Sequence, residues 1–194
     1  MAVKTMPRDT GTGLYNAGWH ELTISYAAYD TWTDPKGSKK RYVDLRFEGY
    51  PENMNLRIYE VKNRETDVEF KIANLFRFAC AGIIDVLNDP TGKKPVIQYD
   101  DDAHHLVGTR INAFFYKVAD EVSGKEYSRI FDTVAPVEQE TKYVTWTADD
   151  VTRLKTAAEK NFTRVKGAPV SLNGDRHVTS TTKATTTSDA ELPF

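Results

Sequence analysis

Tyr42 and Arg46, Arg57 and Tyr59, then Arg110, Phe114 and Tyr116 occupy alternate positions in segments whose intervening residues are largely apolar, and a basic cluster of Lys36, Lys39, Lys40 and Arg41 follows Trp32. Alternation in an extended segment gathers such side chains on one outward face. Aromatic rings stack unpaired bases and basic groups neutralise phosphates, so this mixture is the chemistry by which single-stranded nucleic acid is held. Asp44 and Glu48 share the face. Ordinary cross-strand pairing of Tyr, Arg and carboxylates is therefore the competing explanation.

Two further groups of residues could do chemistry. Asp100-Asp101-Asp102 with His104-His105 supplies ligand types for Mg²⁺, Mn²⁺ or Zn²⁺. Consecutive side chains of an extended segment point opposite ways, however, and the expectation is a solvated acidic loop without metal. Cys80 lies in the apolar run Phe76 to Ile84 and reads as a small buried hydrophobe. Neither a G-x-S-x-G nucleophile turn nor a phosphate loop occurs, and Asp120-Glu121 and Glu138 to Glu140 read as charged turns and linker. No enzyme activity and no cofactor are expected. The second group is the ending Asp189-Ala190-Glu191-Leu192-Pro193-Phe194. Its Phe194 offers a ring for an apolar pocket beside a carboxylate for a basic clamp, Leu192 and Pro193 extend the apolar part, and Asp189 and Glu191 steer toward positive surfaces.

Periodicity predicts the elements that must carry these groups. Trp19 to Tyr26 puts Leu22, Ile24 and Tyr26 on one face of a first strand, and Val43, Leu45 and Phe47 alternate with Tyr42, Asp44, Arg46 and Glu48 in a second. Leu56 to Val61 is a third, with Leu56 and Ile58 inward. Ile72, Phe76, Ala79, Cys80, Ile83 and Leu87 keep helical spacing and predict a helix from about Val68 to Leu87, stopped at Asn88-Asp89-Pro90. Gly92 to Asp102 reads as a loop. Arg110 to Tyr116 and Glu126 to Asp132 are strands four and five, joined as a hairpin through Ser123-Gly124-Lys125. Thr147-Ala148-Asp149-Asp150 is a capping-box variant ahead of a short helix through Val151, Leu154, Ala158 and Phe162.

Strand, strand, strand, helix, strand, strand is the order of an OB-fold, a five-stranded barrel with its helix between strands three and four. The expected fold is thus mainly β: this barrel and a short C-terminal helix over residues 14–166, a flexible N-terminus at 1–13, and a disordered linker and tip at 167–194. The linker reads T-S-T-T-K-A-T-T-T-S over Thr179 to Ser188 and has too little apolar surface to fold. With 26 basic and 28 acidic side chains in 194 residues, a simple basic protein is excluded, and any positive binding surface must be gathered on one face. The first loop of an OB-fold is a usual clamp, which is where Lys36 to Arg41 falls. The N-terminus has no apolar leader segment, and no apolar run reaches the roughly 18 residues of a membrane span. A cytoplasmic protein without a membrane partner is expected.

The run from G-W-H-E-L-T-I through K-K-R-Y-V-D-L-R-F-E, N-L-R-I-Y-E, F-K-I-A-N-L-F-R-F and G-K-E-Y-S-R-I resembles the single-stranded DNA-binding proteins of tailed bacteriophages. The ending E-L-P-F resembles the acidic, Pro-Phe-terminated tip by which bacterial and phage single-strand-binding proteins recruit other enzymes. The resemblance implies coating and protection of single-stranded DNA during phage DNA replication, recombination or repair, in the host cytoplasm. It further implies self-association along DNA and replication or recombination enzymes as partners of the tip. Two alternatives stay open: a metal-dependent nuclease using Asp100 to Asp102 with the histidines, and an assembly module whose barrel binds another protein.

Overall fold

The structure, a computed structural model, describes residues 15–87, 96–119 and 123–166; the expected N-terminal arm, the linker and the tip residues Asp189, Glu191, Leu192, Pro193 and Phe194 lie outside the described residues. The strands are β1 (Gly18–Thr33), β2 (Lys39–Phe47), β3 (Leu56–Tyr59), β4 (Ile83–Leu87), β5 (Val96–Tyr99), β6 (Arg110–Ala119), β7 (Glu126–Ala135), β8 (Gln139–Glu140) and β9 (Thr145–Trp146). The helices are α1 (Lys71–Ala79) and α2 (Ala148–Lys166), with a single 3-10 turn at Ala103–Leu106. The chain is mainly β, and among the described residues no helix is long and apolar enough to cross a membrane.

β1 is shared between two ladders. From Gly18 to Thr23 it pairs antiparallel with β6, and from Ile24 to Thr33 it pairs antiparallel with β2. The change of partner coincides with a bulge between Ile24 and Tyr26, where Ser25 is the extra residue. An inserted residue bends a strand and sharpens its twist, which lets one strand serve both halves. β3 pairs with β2 and β7 with β6, giving the order β3-β2-β1-β6-β7. No ladder joins β3 to β7 among the described residues, so this sheet is open. Leu22, Ile24, Val43, Leu45, Leu56, Ile58, Ile111 and Phe115 form its inner face and pack with Leu75 and Phe76 of α1.

The helix expected to reach Leu87 ends at Ala79. Cys80 takes the left-handed conformation (φ 51°, ψ 36°), and the N–H groups of Cys80 and Ala81 donate back to Arg77 and Phe76 carbonyls. Gly82 follows at φ +60°, and a Cβ there would run into the Asp100 carbonyl oxygen. Beyond that stop, the segment Ile83-Ile84-Asp85-Val86, with three β-branched residues, pairs with β5 instead of continuing the helix. Part of the expected 92–102 loop is accordingly strand.

α2 begins as its sequence requires. Thr147 Oγ1 accepts the Asp150 N–H at 3.2 Å and donates to Asp150 Oδ2 at 2.9 Å, satisfying a backbone donor of the first turn. The helix is longer than expected and lies on the outer side of β6 and β7. The Phe162 ring sits 5.1 Å from each of Phe114, Tyr116 and Phe131, and Trp19 Nε1 donates to Glu159 Oε1 at 2.6 Å. Phe114 and Tyr116 therefore point outward as expected but are not exposed base platforms, because α2 covers them. Phe162→Ala is expected to destabilise the fold by about 3–5 kcal/mol, read as a lower denaturant midpoint, through the cavity it opens under three rings. A loss below about 1 kcal/mol would mean that α2 docks without this plug.

Candidate nucleic-acid interface

The registers of β1, β2 and β3 place the outward side chains in cross-strand rows. Trp32 lies opposite Lys40; Asp30, Tyr42 and Tyr59 form the next row, Ala28, Asp44 and Arg57 the third, and Tyr26 with Arg46 the fourth. These rows bring Trp32, Lys40, Tyr42, Tyr59, Arg57 and Arg46 onto one surface. Tyr26 joins them although its alternation with Leu22 and Ile24 predicts the inner face. The Ser25 bulge reverses the parity, leaving Tyr26 44% exposed with the Arg46 guanidinium 4.8 Å above its ring. Nothing in the local sequence marks that bulge. Arg110 does not join the rows: it sits on β6 against the other half of β1, paired with Glu21 at 2.6 Å.

The charges on this surface fall into two classes. Arg46 pairs with Glu52 at 3.2 Å and Arg57 with Asp44 at 3.2 Å, whereas Arg41, expected in the same cluster, faces the other side of the hairpin and pairs there with Asp101 at 3.5 Å. By contrast, no ion pair among the described residues holds Lys36, Lys39 or Lys40, all of which are exposed. Partly exposed pairs such as those of the arginines are worth only about 0–1 kcal/mol, so an arriving phosphate competes with the carboxylate at small cost. The lysines flank a turn in which Asp34 Oδ1 accepts the Lys36 and Ser38 N–H groups at 2.9 and 2.8 Å. Trp32, 41% exposed, stands beside them at the end of β1.

The aromatic rings also divide. Tyr42 is outward in register yet only 5% exposed: its ring lies between Tyr59, 5.2 Å away, and the Arg57 guanidinium at 5.1 Å. Its hydroxyl donates to Asp30 Oδ2 at 2.8 Å, which holds the Asp30 carboxyl below the usual range and the Tyr42 hydroxyl above it. Tyr42 is thus a support for its neighbours and not a free platform. Tyr59 is half-buried, while Trp32 and Tyr26 are the exposed rings of this face.

The acidic segment after β5 has structural partners. Asp100 Oδ1 accepts the Asp102 N–H and its Oδ2 lies 3.2 Å from His105 Nε2, Asp102 Oδ1 accepts the His104 N–H at the start of the 3-10 turn, and Asp101 pairs with Arg41. Among the described residues no three His, Cys, Asp or Glu side chains converge as metal ligands. Cys80 is half-buried, and burial pushes its thiol pKa up, away from the thiolate.

The sequence matches no protein-family model and no curated protein.

Arg41 lies 3.6 Å from the centre of the Tyr29 ring, on the opposite side of the β1–β2 hairpin from Trp32. Burial first, and the Asp101 carboxylate second, push the Tyr29 hydroxyl from 10.0 up to about 12, with Arg41 opposing. A pKa raised in the folded state gives stability that is complete below the unfolded value and lost as pH climbs through the folded one. Unfolding midpoints should therefore fall between pH 10 and about 12, and Tyr29→Phe should flatten that fall. An unchanged alkaline slope in Tyr29→Phe would assign it to other buried tyrosines.

Proposed function

We propose that this chain is a non-enzymatic single-stranded DNA-binding protein built on an OB-type fold. The observation that carries the reading is the outer face of β1–β3, where exposed Trp32 and Tyr26 stand among Lys40, Arg46 and Arg57 and beside the exposed Lys36 and Lys39. Stacking is worth about 1–3 kcal/mol for any base, and guanidinium and ammonium groups read phosphate without reading sequence. Binding is therefore sequence-tolerant, suited to coating and protecting strands exposed in phage DNA replication, recombination or repair in the host cytoplasm. The OB-type reading is supported by the order β3-β2-β1-β6-β7, by β1 serving two ladders, and by α1 following the third strand. The tip ending in Leu192, Pro193 and Phe194 serves as the handle for replication or recombination enzymes, and Phe194→Ala is expected to abolish their capture while DNA binding persists.

The direct test is a fluorescence titration with oligo-dT, with duplex DNA as the control. Trp146 is buried and Trp19 is bonded to α2, so quenching reports mainly on Trp32. Trp32→Ala should remove the quench and cost about 1–3 kcal/mol of affinity. Replacing Lys36, Lys39 and Lys40 together by Ala should reduce the slope of log K against log salt by about 0.7 for each lost phosphate contact. Absence of wild-type binding to oligo-dT would overturn the reading.

A further inference from the structure

We infer that the open seam between β3 and β7 is a second leg of the DNA path, a groove that takes the single strand onward from the β1–β3 face. The seam is a cleft of about 1230 Å³. One wall carries Arg57 and Tyr59, which also belong to the outer rows, so groove and face form one continuous surface. The opposite wall carries Lys125, Tyr127 and Arg129, and Lys166 at the end of α2 closes one side. Tyr127 is 37% exposed, with the Arg129 guanidinium 5.1 Å over its ring.

The charge of this cleft is complementary to a phosphate chain. Its two carboxylates already have lysine partners, Glu126 with Lys117 at 3.9 Å and Asp132 with Lys71 at 2.5 Å. No carboxylate among the described residues pairs with Lys125, Arg129 or Lys166. Tyr59 and Tyr127 line the seam from two different strands, and rings so placed can stack splayed bases but are of no use to a duplex, whose bases are already stacked. β3 and β7 are also the two edges of the sheet. Among the described residues no strand pairs with their outer backbone N–H and C=O groups, the groups an edge offers to a ligand. The pattern Tyr127-Ser128-Arg129 repeats the outward Tyr/Arg alternation of Arg57 and Tyr59, which is the sequence signal that points to it.

This inference rests on the DNA-binding reading, and the experiment separates the two. The full chain, as wild type, as Tyr127→Ala/Arg129→Ala, as Lys125→Ala and as the triple lysine variant of the hairpin, is titrated with oligo-dT of about four and about 16 nucleotides, the span of known site sizes per OB domain. The groove variants should bind the short oligonucleotide as wild type does. On the long one, Tyr127→Ala/Arg129→Ala should lose affinity about tenfold or more, and both variants should show a shallower salt dependence. Lys142→Ala, away from the groove, is the charge control and should match wild type. If the hairpin variant weakens binding while the groove variants bind the long strand equally well or more tightly, the second leg is wrong and the first stands. If wild type binds neither length, the functional reading itself fails.

Discussion

β1 hydrogen-bonds along both of its edges, to β6 through its first part and to β2 through the rest, and the Ser25 bulge lies where the partner changes. Among the described residues, the two halves of the sheet are joined by ladder hydrogen bonds through this strand alone. An extra residue at that point reverses which side chains face the core. Leu22 and Ile24 lie inside before the bulge, Ala27 inside after it, and Tyr26 is sent to the surface. The composition of the outer face thus follows from one backbone irregularity.

The outer surface of the sheet is divided by α2. Over β6 and β7, Phe162 collects Phe114, Tyr116 and Phe131 into a second small core, so β6 is covered on both faces. Over β1, β2 and β3 no helix of the described residues lies across the rows, and Trp32, Tyr26 and Lys40 are exposed. The same outward alternation therefore yields packing on one half and a binding surface on the other. Which occurs depends on whether an apolar helix face is available to cover it.

Charge on the open half is arranged so that the folded protein does not repel itself. Each arginine of the rows has a carboxylate and a ring: Arg46 has Glu52 and Tyr26, Arg57 has Asp44 and Tyr42. Arg41, near the turn and on the other side of the hairpin, has Asp101 and Tyr29. The lysines that have no such partner among the described residues are at the hairpin end, where solvent screens them. A polyanion meets first the charges that need no exchange, then arginines whose pairs are weak enough to be exchanged.

Much of this was legible from local pattern. The inward positions of Val43, Leu45, Phe47, Leu56, Ile58, Ile111 and Phe115 follow from a period of two, because one face of a half-buried strand must be apolar. The start of α2 was legible too, since Thr147 and Asp150 cap within a single turn. Local pattern failed where the deciding partner is distant in sequence. Ile83 and Leu87 keep helical spacing with α1, yet Gly82 is pressed against Asp100 and the segment pairs with β5. Tyr26 reads as core until the two partners of β1 place a bulge at Ser25, and Tyr42, Phe114 and Tyr116 read as exposed until Tyr59 with Arg57, or α2, cover them. The sequence by itself determined which residues are apolar, basic or aromatic and with what period they recur. Tertiary structure alone decided which outward rings stay open, because exposure depends on what packs above a residue, and that neighbour comes from tens of residues away.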